Sequence, residues 1–368
     1  MSFPDHHGVQ EFLSIRPTMN RFRTLTAAFM LCAIALAACG DKTPKQESVE
    51  TFYRGKTLTI VVGSSVGGGY DNTARLVARH LGRHIPGNPS FIVENMPGAG
   101  SVLAANHVYN SAPKDGTVLG IFVDSVPLSP LWKQEGTRYD PREVGWLGSL
   151  ASRAYSSVVI MRSDAKVKSF ADAKKMETAL GSAGGPYSTT TIYPWLLNEL
   201  VGTKFKIIYG YPGGAEVMLA LERGEIEGYA GMNWHSLKKE RPAWVENKFV
   251  IPIVQMTLES DPALPHVPLA IDDVHNEIDR QVMELALGLL RFARVFSVAP
   301  GIPQDRLAAL RKAFDDMTKD PEFAAEADKV LLEGLTPSSH QAIEQFIREA
   351  YAVPEEVRSR AAKYMGGK

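Results

Sequence analysis

Cysteine is nearly missing from this chain: Cys32 and Cys39 are the only two in 368 residues. Both lie near the start, which excludes a disulfide framework, a four-thiolate metal site and any thiol chemistry further along. Charge of one sign is not in excess either, with 40 Lys+Arg against 41 Asp+Glu and a net charge of −1. No basic face for nucleic acid is expected from that balance. The nine histidines form no H-E-x-x-H and no paired metal spacing, so neither a metal nor a cofactor is expected. No P-loop lysine follows a glycine run, and no G-x-G-x-x-G precedes an acid at dinucleotide distance. What remains is ordinary: 45% hydrophobic and 22% charged residues, the make-up of a folded chain. At ~100–200 residues per domain, the length points to two domains or three.

The first 39 residues read as an address. Arg21 and Arg23 precede an apolar stretch, Leu25 to Ala35, that suits a signal-peptide core and is short for a permanent span. Met19 is the expected start, and the preceding residues, with His6-His7, carry no targeting pattern. Leu36-Ala37-Ala38-Cys39-Gly40 resembles the lipobox of bacterial lipoproteins. That resemblance implies cleavage before Cys39 and a diacylglycerol on its thiol, holding the protein at a membrane by buried CH₂ groups. Asp41 to Glu50 is polar and reads as a tether.

Beyond the tether, strand and helix patterns alternate. Leu58–Val62 is apolar and β-branched, ending at Gly63; Ala74, Val77, Ala78, Leu81 and Ile85 then mark one face of a helix. Strands at 91–93 and 117–123 flank a helix at 101–112. A second block repeats the alternation, with strands at 158–161, 178–181, 204–209, 226–232 and 250–255. Its helices are expected at 169–176, 189–200 and 215–223. Helix 277–290, strand 294–299 and helices 303–318, 321–332 and 338–351 complete the chain. Such alternation gives parallel sheets covered by helices. The second block reads as a unit inserted into the first: residues 52–155 and 290–368 form lobe I, and 156–289 form lobe II. Residues 1–38 are upstream sequence and signal, and 39–51 the lipidated Cys and tether. A cleft at the carboxyl ends of both sets of strands is where such sheets bind ligands.

Glycine-rich strand-to-helix turns carry the functional signal. The first is Gly63-Ser-Ser-Val-Gly-Gly-Gly-Tyr-Asp71. The first N–H groups of a helix have no internal partners and sit in a positive partial charge. Glycines let those groups approach a guest without Cβ obstruction. Ser64, Ser65, Gly67, Gly68, Gly69 and Tyr70 are therefore candidates for gripping an anion or carboxylate. Asp71 is either a structural first-turn residue or an acceptor for a ligand amine, hydroxyl or water. The second turn, Gly181 to Thr190, offers Ser182, Gly184, Gly185, Ser188 and Thr189. A third, Tyr209 to Ala215, offers Gly213, Gly214 and Ala215. Asp124-Ser125 follows the third strand and adds polar candidates, as does Asn233. Tyr187, Tyr211 and Trp234 flank the turns and suit either enclosure of a solute or core packing.

With these turns stand VENMPGAGSVLAAN (93–106), APKDGTVLG (112–120), GSAGGPYSTT (181–190), YGYPGGAEVMLALERGEIEG (209–228), LPHVP (264–268) and VAPGIPQDRLAALRKAF (298–314). Together they resemble the solute-binding receptors of tripartite tricarboxylate transporters, the TctC or Bug type, over about residues 52–352. The resemblance implies an α/β, two-lobed periplasmic-binding-protein (venus-flytrap, type II) fold, each lobe a mixed, mostly parallel sheet flanked by helices. It also implies a non-enzymatic, monomeric receptor in the periplasm or cell envelope. Such a receptor clasps a small carboxylated organic solute and passes it to integral-membrane permease subunits. Four features depart from the family: Gly63-Ser64-Ser65 with three glycines replaces a Phe-Pro turn with two, Thr189-Thr190-Thr191 stands where His is frequent, Met232-Asn233-Trp234-His235 is particular to this chain, and Cys39 adds a lipid site. The first three lie where ligand groups are read, so the solute need not be a tricarboxylate.

One rival remains in the sequence. Gly63-Ser64-Ser65-Val66-Gly67 satisfies G-x-S-x-G with Ser65 as nucleophile, the elbow of α/β hydrolases. No partner His or Asp can be assigned to it, and the turn follows the first strand rather than a long α/β segment.

Overall fold

The computed structural model describes residues 47–151, 157–183, 188–331 and 334–365. The expectations for residues 1–38, for Cys39 and for Gly184, Gly185 and Tyr187 lie outside the described residues. Met1–Ser48 and Val49–Lys368 are separate units, and every element named here belongs to the second.

The first elements are α1 (Val49–Tyr53), β1 (Thr57–Val62), α2 (Gly69–His80), β2 (Ser90–Asn95), α3 (Val102–Asn110), β3 (Val118–Ile121) and β4 (Gly145–Ala151). The inserted block holds β5 (Ser157–Arg162), α4 (Phe170–Ala173), β6 (Thr178–Ala183), α5 (Thr189–Leu196), β7 (Phe205–Tyr211), α6 (Gly214–Arg223), β8 (Gly228–Asn233), α7 (Trp234–Glu240), α8 (Pro242–Glu246), β9 (Val250–Gln255) and α9 (Glu277–Gly288). The chain then gives β10 (Ala293–Val298), α10 (Gln304–Thr318), α11 (Pro321–Val330), β11 (Ser338–Ser339), α12 (His340–Ala352) and α13 (Glu355–Met365).

Two sheets result, ordered β11-β4-β10-β3-β1-β2 and β7-β6-β8-β5-β9. In the first, β1 runs parallel to β2 and β3, while β10 returns antiparallel between β3 and β4. In the second, β6 is parallel to β7 and β8, and β5 is antiparallel to β8 and β9. Each sheet has its own core. Leu58, Ile60 and Val62 pack with Leu76, Val77, Phe296 and Phe314 in lobe I. Val159, Met161 and Leu180 pack with Ile192, Leu196 and Val282 in lobe II.

Several features differ from the sequence expectations, among them α1, which begins within the expected tether, and β11, which occupies the first two residues of an expected helix. Strand β4 was not anticipated, because Gly-Trp-Leu-Gly-Ser-Leu-Ala is poor in β-branched residues; all seven residues are buried between neighbours on both sides. Helices α7, α8 and α13 were also not anticipated. The last of them matters for the lobes: Val357, Ala361 and Tyr364 join the lobe II core. The tail expected wholly in lobe I therefore ends on lobe II, because α13 buries its apolar stripe against α5 and α9.

Register decides which edges meet. The carboxyl ends of β1, β2, β3 and β4 share one edge of the first sheet, where the antiparallel β10 begins. In the second sheet, Ser157 at the start of β5 is paired with Asn233 at the end of β8, and Gln255 at the end of β9 is paired with Val158. The chain thus leaves lobe I and enters lobe II through the carboxyl edges of both sheets. Only six chain steps separate Ala151 from Ser157, so those edges lie within roughly 20 Å of each other.

Candidate functional site

The first glycine turn occupies the lobe I edge. Gly63 is required by close approach: a Cβ there would stand 2.4 Å from the Cβ and Oγ of Ser101. The Ser101 hydroxyl donates to the Gly63 carbonyl at 2.8 Å and accepts from the Val123 N–H at 3.2 Å, tying the ends of β1 and β3 together. Gly67, at φ +82°, then turns the chain into α2. Gly67, Gly68 and Gly69 are exposed, as is Ser65, while Ser64 is half-buried and its Oγ has no hydrogen-bond partner. Helix α2 begins after Gly68 with no side-chain cap, leaving its first amides to solvent or a guest.

Asp71 holds this turn in place. Its carboxylate, 1% exposed, accepts the Gly67 N–H at 2.8 Å, Arg75 Nε at 3.0 Å and Asn95 Nδ2 at 3.0 Å. Asn95 Nδ2 also donates to the Ser64 carbonyl at 2.9 Å. Burial pushes the Asp71 carboxyl up, but the hydrogen bonds from Arg75, Gly67 and Asn95 and the Arg75 charge outweigh it, so its pKa lies below the ordinary value. Of the two readings the sequence left open, the structural one describes this carboxylate: its oxygens are already taken by its own lobe.

Above the turn lies a group the sequence reading did not single out. The Arg294 guanidinium sits 4.3 Å from the centre of the Tyr70 ring, a cation–π distance. A Cβ on Gly69 would come within 3.0 Å of Arg294 Nη2. Arg294 itself adopts φ +60°, a left-handed backbone that costs a bulky residue on the order of 1–3 kcal/mol and is frequent at ligand sites. The Tyr70 hydroxyl donates to Asp124 Oδ1 at 2.8 Å and accepts from the Asp124 N–H at 3.2 Å. Ser125 is buried, and its carbonyl receives the Ser129 hydroxyl and the Leu128 N–H.

The lobe II edge is built differently. Ser182 is buried, and its hydroxyl is hydrogen-bonded to Thr190 Oγ1 at 3.0 Å and Thr191 Oγ1 at 2.5 Å. Thr190 Oγ1 also donates to the Ala183 carbonyl, and the half-buried Ser188 hydroxyl lies 2.8 Å from Thr190 Oγ1. The second turn's hydroxyls are thus directed into a neutral network that fastens β6 to α5. Thr189 is half-buried against Gly231, whose φ of +76° makes a bulge in β8; a Cβ there would meet Thr189 Oγ1 at 3.1 Å. Helix α5 has no side-chain cap, and neither does α6, which opens at the half-buried Gly213 and Gly214 and the exposed Ala215. Helices α4, α9, α11 and α12, by contrast, are capped by Ser169, Asn276, Asp320 and Ser339. A Cβ on Gly214 would meet the Tyr229 hydroxyl at 3.2 Å, and burial pushes that phenol up to about 12, so it stays neutral.

Asn233 and its strand partner Ser157 sit at the mouth of this edge. Asn233 Oδ1 accepts the Ser236 N–H at 2.8 Å, capping α7, while its Nδ2 has no partner. Ser157 Oγ and Trp234 Nε1 are likewise buried without partners. Such atoms cost free energy unless something hydrogen-bonds to them. Trp234 otherwise packs in a lobe II core with Tyr211 against it.

The hydrolase alternative finds no support: among the described residues no hydrogen bond joins Ser65 to a histidine. Among them too, no cluster of three or more His, Cys, Asp or Glu could hold a metal, and no helix is long and apolar enough to cross a membrane.

Arg294 and Ser157 were missed for one reason. Each lies at the start of a strand, where nothing local separates it from any other edge residue. The only available signal was a pair of arginines, Arg291 and Arg294, inside the otherwise apolar stretch 289–299.

No family model matches the chain. A Cupriavidus necator protein, "UPF0065 protein in gbd 5'region", is 29% identical over 226 residues, 60% of this chain and 61% of its own length. An Agrobacterium vitis UPF0065 protein is 27% identical over 199 residues, 53% of this chain and 56% of its own. The chain thus matches about three fifths of the length of its curated relatives. Among solved structures, a TctC solute-binding protein from Polaromonas aligns with TM-score 0.62 and 18% identity, over 85% of this chain and 99% of that one. R. palustris Rpa4515 with adipate aligns with TM-score 0.59 and 19% identity, over 85% and 98%. MatC from Rhodopseudomonas palustris with bound malate aligns with TM-score 0.58 and 20% identity, over 84% and 99%. Two sheets joined through their carboxyl edges, matched almost end to end by these structures, give this chain the two-lobed fold of the TctC-type periplasmic solute-binding proteins.

Proposed function

We propose that this protein is an extracytoplasmic receptor, not an enzyme, that captures a small carboxylated solute between its lobes and delivers it to a tripartite tricarboxylate-type permease. One observation carries the reading. Both carboxyl edges bear uncapped helix starts together with polar atoms lacking partners, Ser64 Oγ on one edge and Ser157 Oγ and Asn233 Nδ2 on the other. An acid with oxygens at both ends would satisfy both sets at once. The solute-binding roles of Ser64, Ser65, Gly67–Gly69, Tyr70, Asp124, Ser125, Ser188, Thr189, Gly213–Ala215 and Asn233 belong to this proposal. So does the lipid on Cys39, which would keep the receptor at a membrane of the cell envelope.

The test is a thermal-shift screen of di- and tricarboxylates, hydroxy acids, amino acids and aromatic acids. A solute present at ~100 times its dissociation constant adds about 2.7 kcal/mol of stability, a rise of several degrees in Tm. A flat response across every acid class overturns the receptor reading. Turnover of generic esters that vanishes in Ser65→Ala would favour the hydrolase instead.

A further inference from the structure

We infer that Lys239 and Asp328 form an electrostatic latch between the lobes, which biases the receptor toward the closed arrangement that holds a guest. Both are positioning residues: they act through the lobes they join and not by touching the solute. The inference rests on the receptor reading and deepens it, by naming a contact that regulates capture.

The latch is built from the ends of two helices. Helix α7 begins at Asn233, which caps it at the mouth of lobe II. Six steps at about 1.5 Å of rise put Lys239 roughly 9 Å further on, in the last turn. On the other lobe, α11 packs against α2 and runs antiparallel to it. Arg83, just beyond the end of α2, meets Asp320 and Glu322 at the start of α11, while Arg79 and His80 meet Glu326 further along. The last turn of α11 therefore points back toward the glycine turn from which α2 starts. The chain after it stays at that edge, since the Thr336 N–H donates to the Leu150 carbonyl near the end of β4. Lys239 Nζ lies 3.8 Å from Asp328 Oδ1, so the two helix ends meet across the cleft.

Neighbouring charges on these helices are engaged within their own lobes. In lobe II, His235 pairs with Asp261, and Lys238 lies over the Trp234 ring. In lobe I, Glu322 and Glu326 are held by Arg83, Arg79 and His80. Lys239 and Asp328 instead reach from one lobe to the other. Their side chains are 47% and 79% exposed, so packing does not hold them together and salt screens their attraction. An exposed pair contributes little to folding. A balance between open and closed arrangements is much finer than folding, and the same small attraction shifts it measurably. Apparent affinity follows the fraction of molecules in the arrangement that binds.

The experiment reads that balance without a solute. Spin labels are placed at the exposed Lys114 of lobe I and Lys175 of lobe II, in the full chain with Cys32→Ser and Cys39→Ser, and the distance between them is measured by pulsed electron resonance. At low salt a population at the separation of this structure is expected. Its ratio to the longer, open separation should fall by about 1.5- to 5-fold in ~1 M NaCl, the range of an exposed ion pair. Lys239→Glu should lower the ratio at low salt by about three- to tenfold, because attraction becomes repulsion, with Tm near wild type. The exchanged pair Lys239→Glu with Asp328→Lys should restore it to within about twofold. An unchanged distribution in Lys239→Glu, no recovery in the exchanged pair, or no closed population in wild type overturns the latch. Among succinate, malate and adipate, every acid that wild type binds should lose affinity in Lys239→Glu by one common factor. A changed order of preference would mean that Lys239 meets the solute itself, and it too overturns the latch. If wild type binds no acid of any class, the receptor reading fails, while the distances still decide whether the two lobes are latched.

Discussion

The two glycine turns look alike in the sequence and are constructed by different means. In lobe I an ionised carboxylate, Asp71, gathers the turn through the Gly67 amide, Arg75 and Asn95. In lobe II the described residues on either side of the second turn, Ser182, Ser188, Thr190 and Thr191, are joined by a neutral cluster of hydroxyls. The first turn is therefore supported by a charged group, and the described residues beside the second turn are joined by neutral ones. One sequence motif can thus stabilise itself by charge or by hydroxyl networks, and the choice sets how each wall responds to pH and to a guest.

The largest expected effect comes from removing the charged support. Asp71→Ala should destabilise the protein by about 3 kcal/mol, the lower end for breaking a buried pair, since Arg75 is partly solvated. Because the folded Asp71 pKa lies below its unfolded value of ~3.9, its contribution is complete above about pH 4 and declines as pH falls through the folded value. Urea unfolding of wild type and Asp71→Asn should therefore show a gap at neutral pH that narrows in acid. If the gap is the same at both pH values, the charged support is not what distinguishes lobe I.

Next is Asn233→Asp. An aspartate still caps α7, so folding should persist, but the Nδ2 donor becomes a second carboxylate. Dicarboxylate affinity should fall by roughly a hundredfold, combining a lost hydrogen bond with repulsion. Affinity within experimental error of wild type would remove Asn233 from the lobe II wall. Gly68→Val follows, with an expected loss of about tenfold or more in affinity. Its backbone is extended at φ −76° and a Cβ would meet only the Ser65 carbonyl at 3.5 Å, so circular dichroism and Tm should stay near wild type. Unchanged binding would mean that the lobe I amides do not touch the guest. The smallest effect is Ser182→Ala, at about 1 kcal/mol of stability for one hydroxyl in a neutral network. A loss as large as that of Asp71→Ala would erase the contrast between the two turns.

Much of this was legible along the chain. The β1–turn–α2 unit announces itself through a β-branched run, three glycines and a 3.6-residue apolar face, all local signals. The second and third turns are legible for the same reason, and each is followed by a helix without a side-chain cap. The direction of the side chains was not legible. Asp71 and Ser182 are polar residues in the right turns, yet both point into their own lobe, because each finds partners brought from 8 to 24 residues away. Strand β4 escaped notice because burial on both faces, and not β-propensity, holds Gly145–Ala151 in the sheet.

The sequence by itself determined the alternation of elements, the three glycine turns and the scarcity of cysteine, since these depend on residue type and short-range spacing. Tertiary structure decided which edges meet, that α13 returns to lobe II, and that Arg294 stands over Tyr70. Those outcomes depend on β10 pairing antiparallel with β3 and β4 across more than a hundred residues of intervening chain. Such long-range pairing is chosen by the packing of the whole core and leaves no mark in any local window.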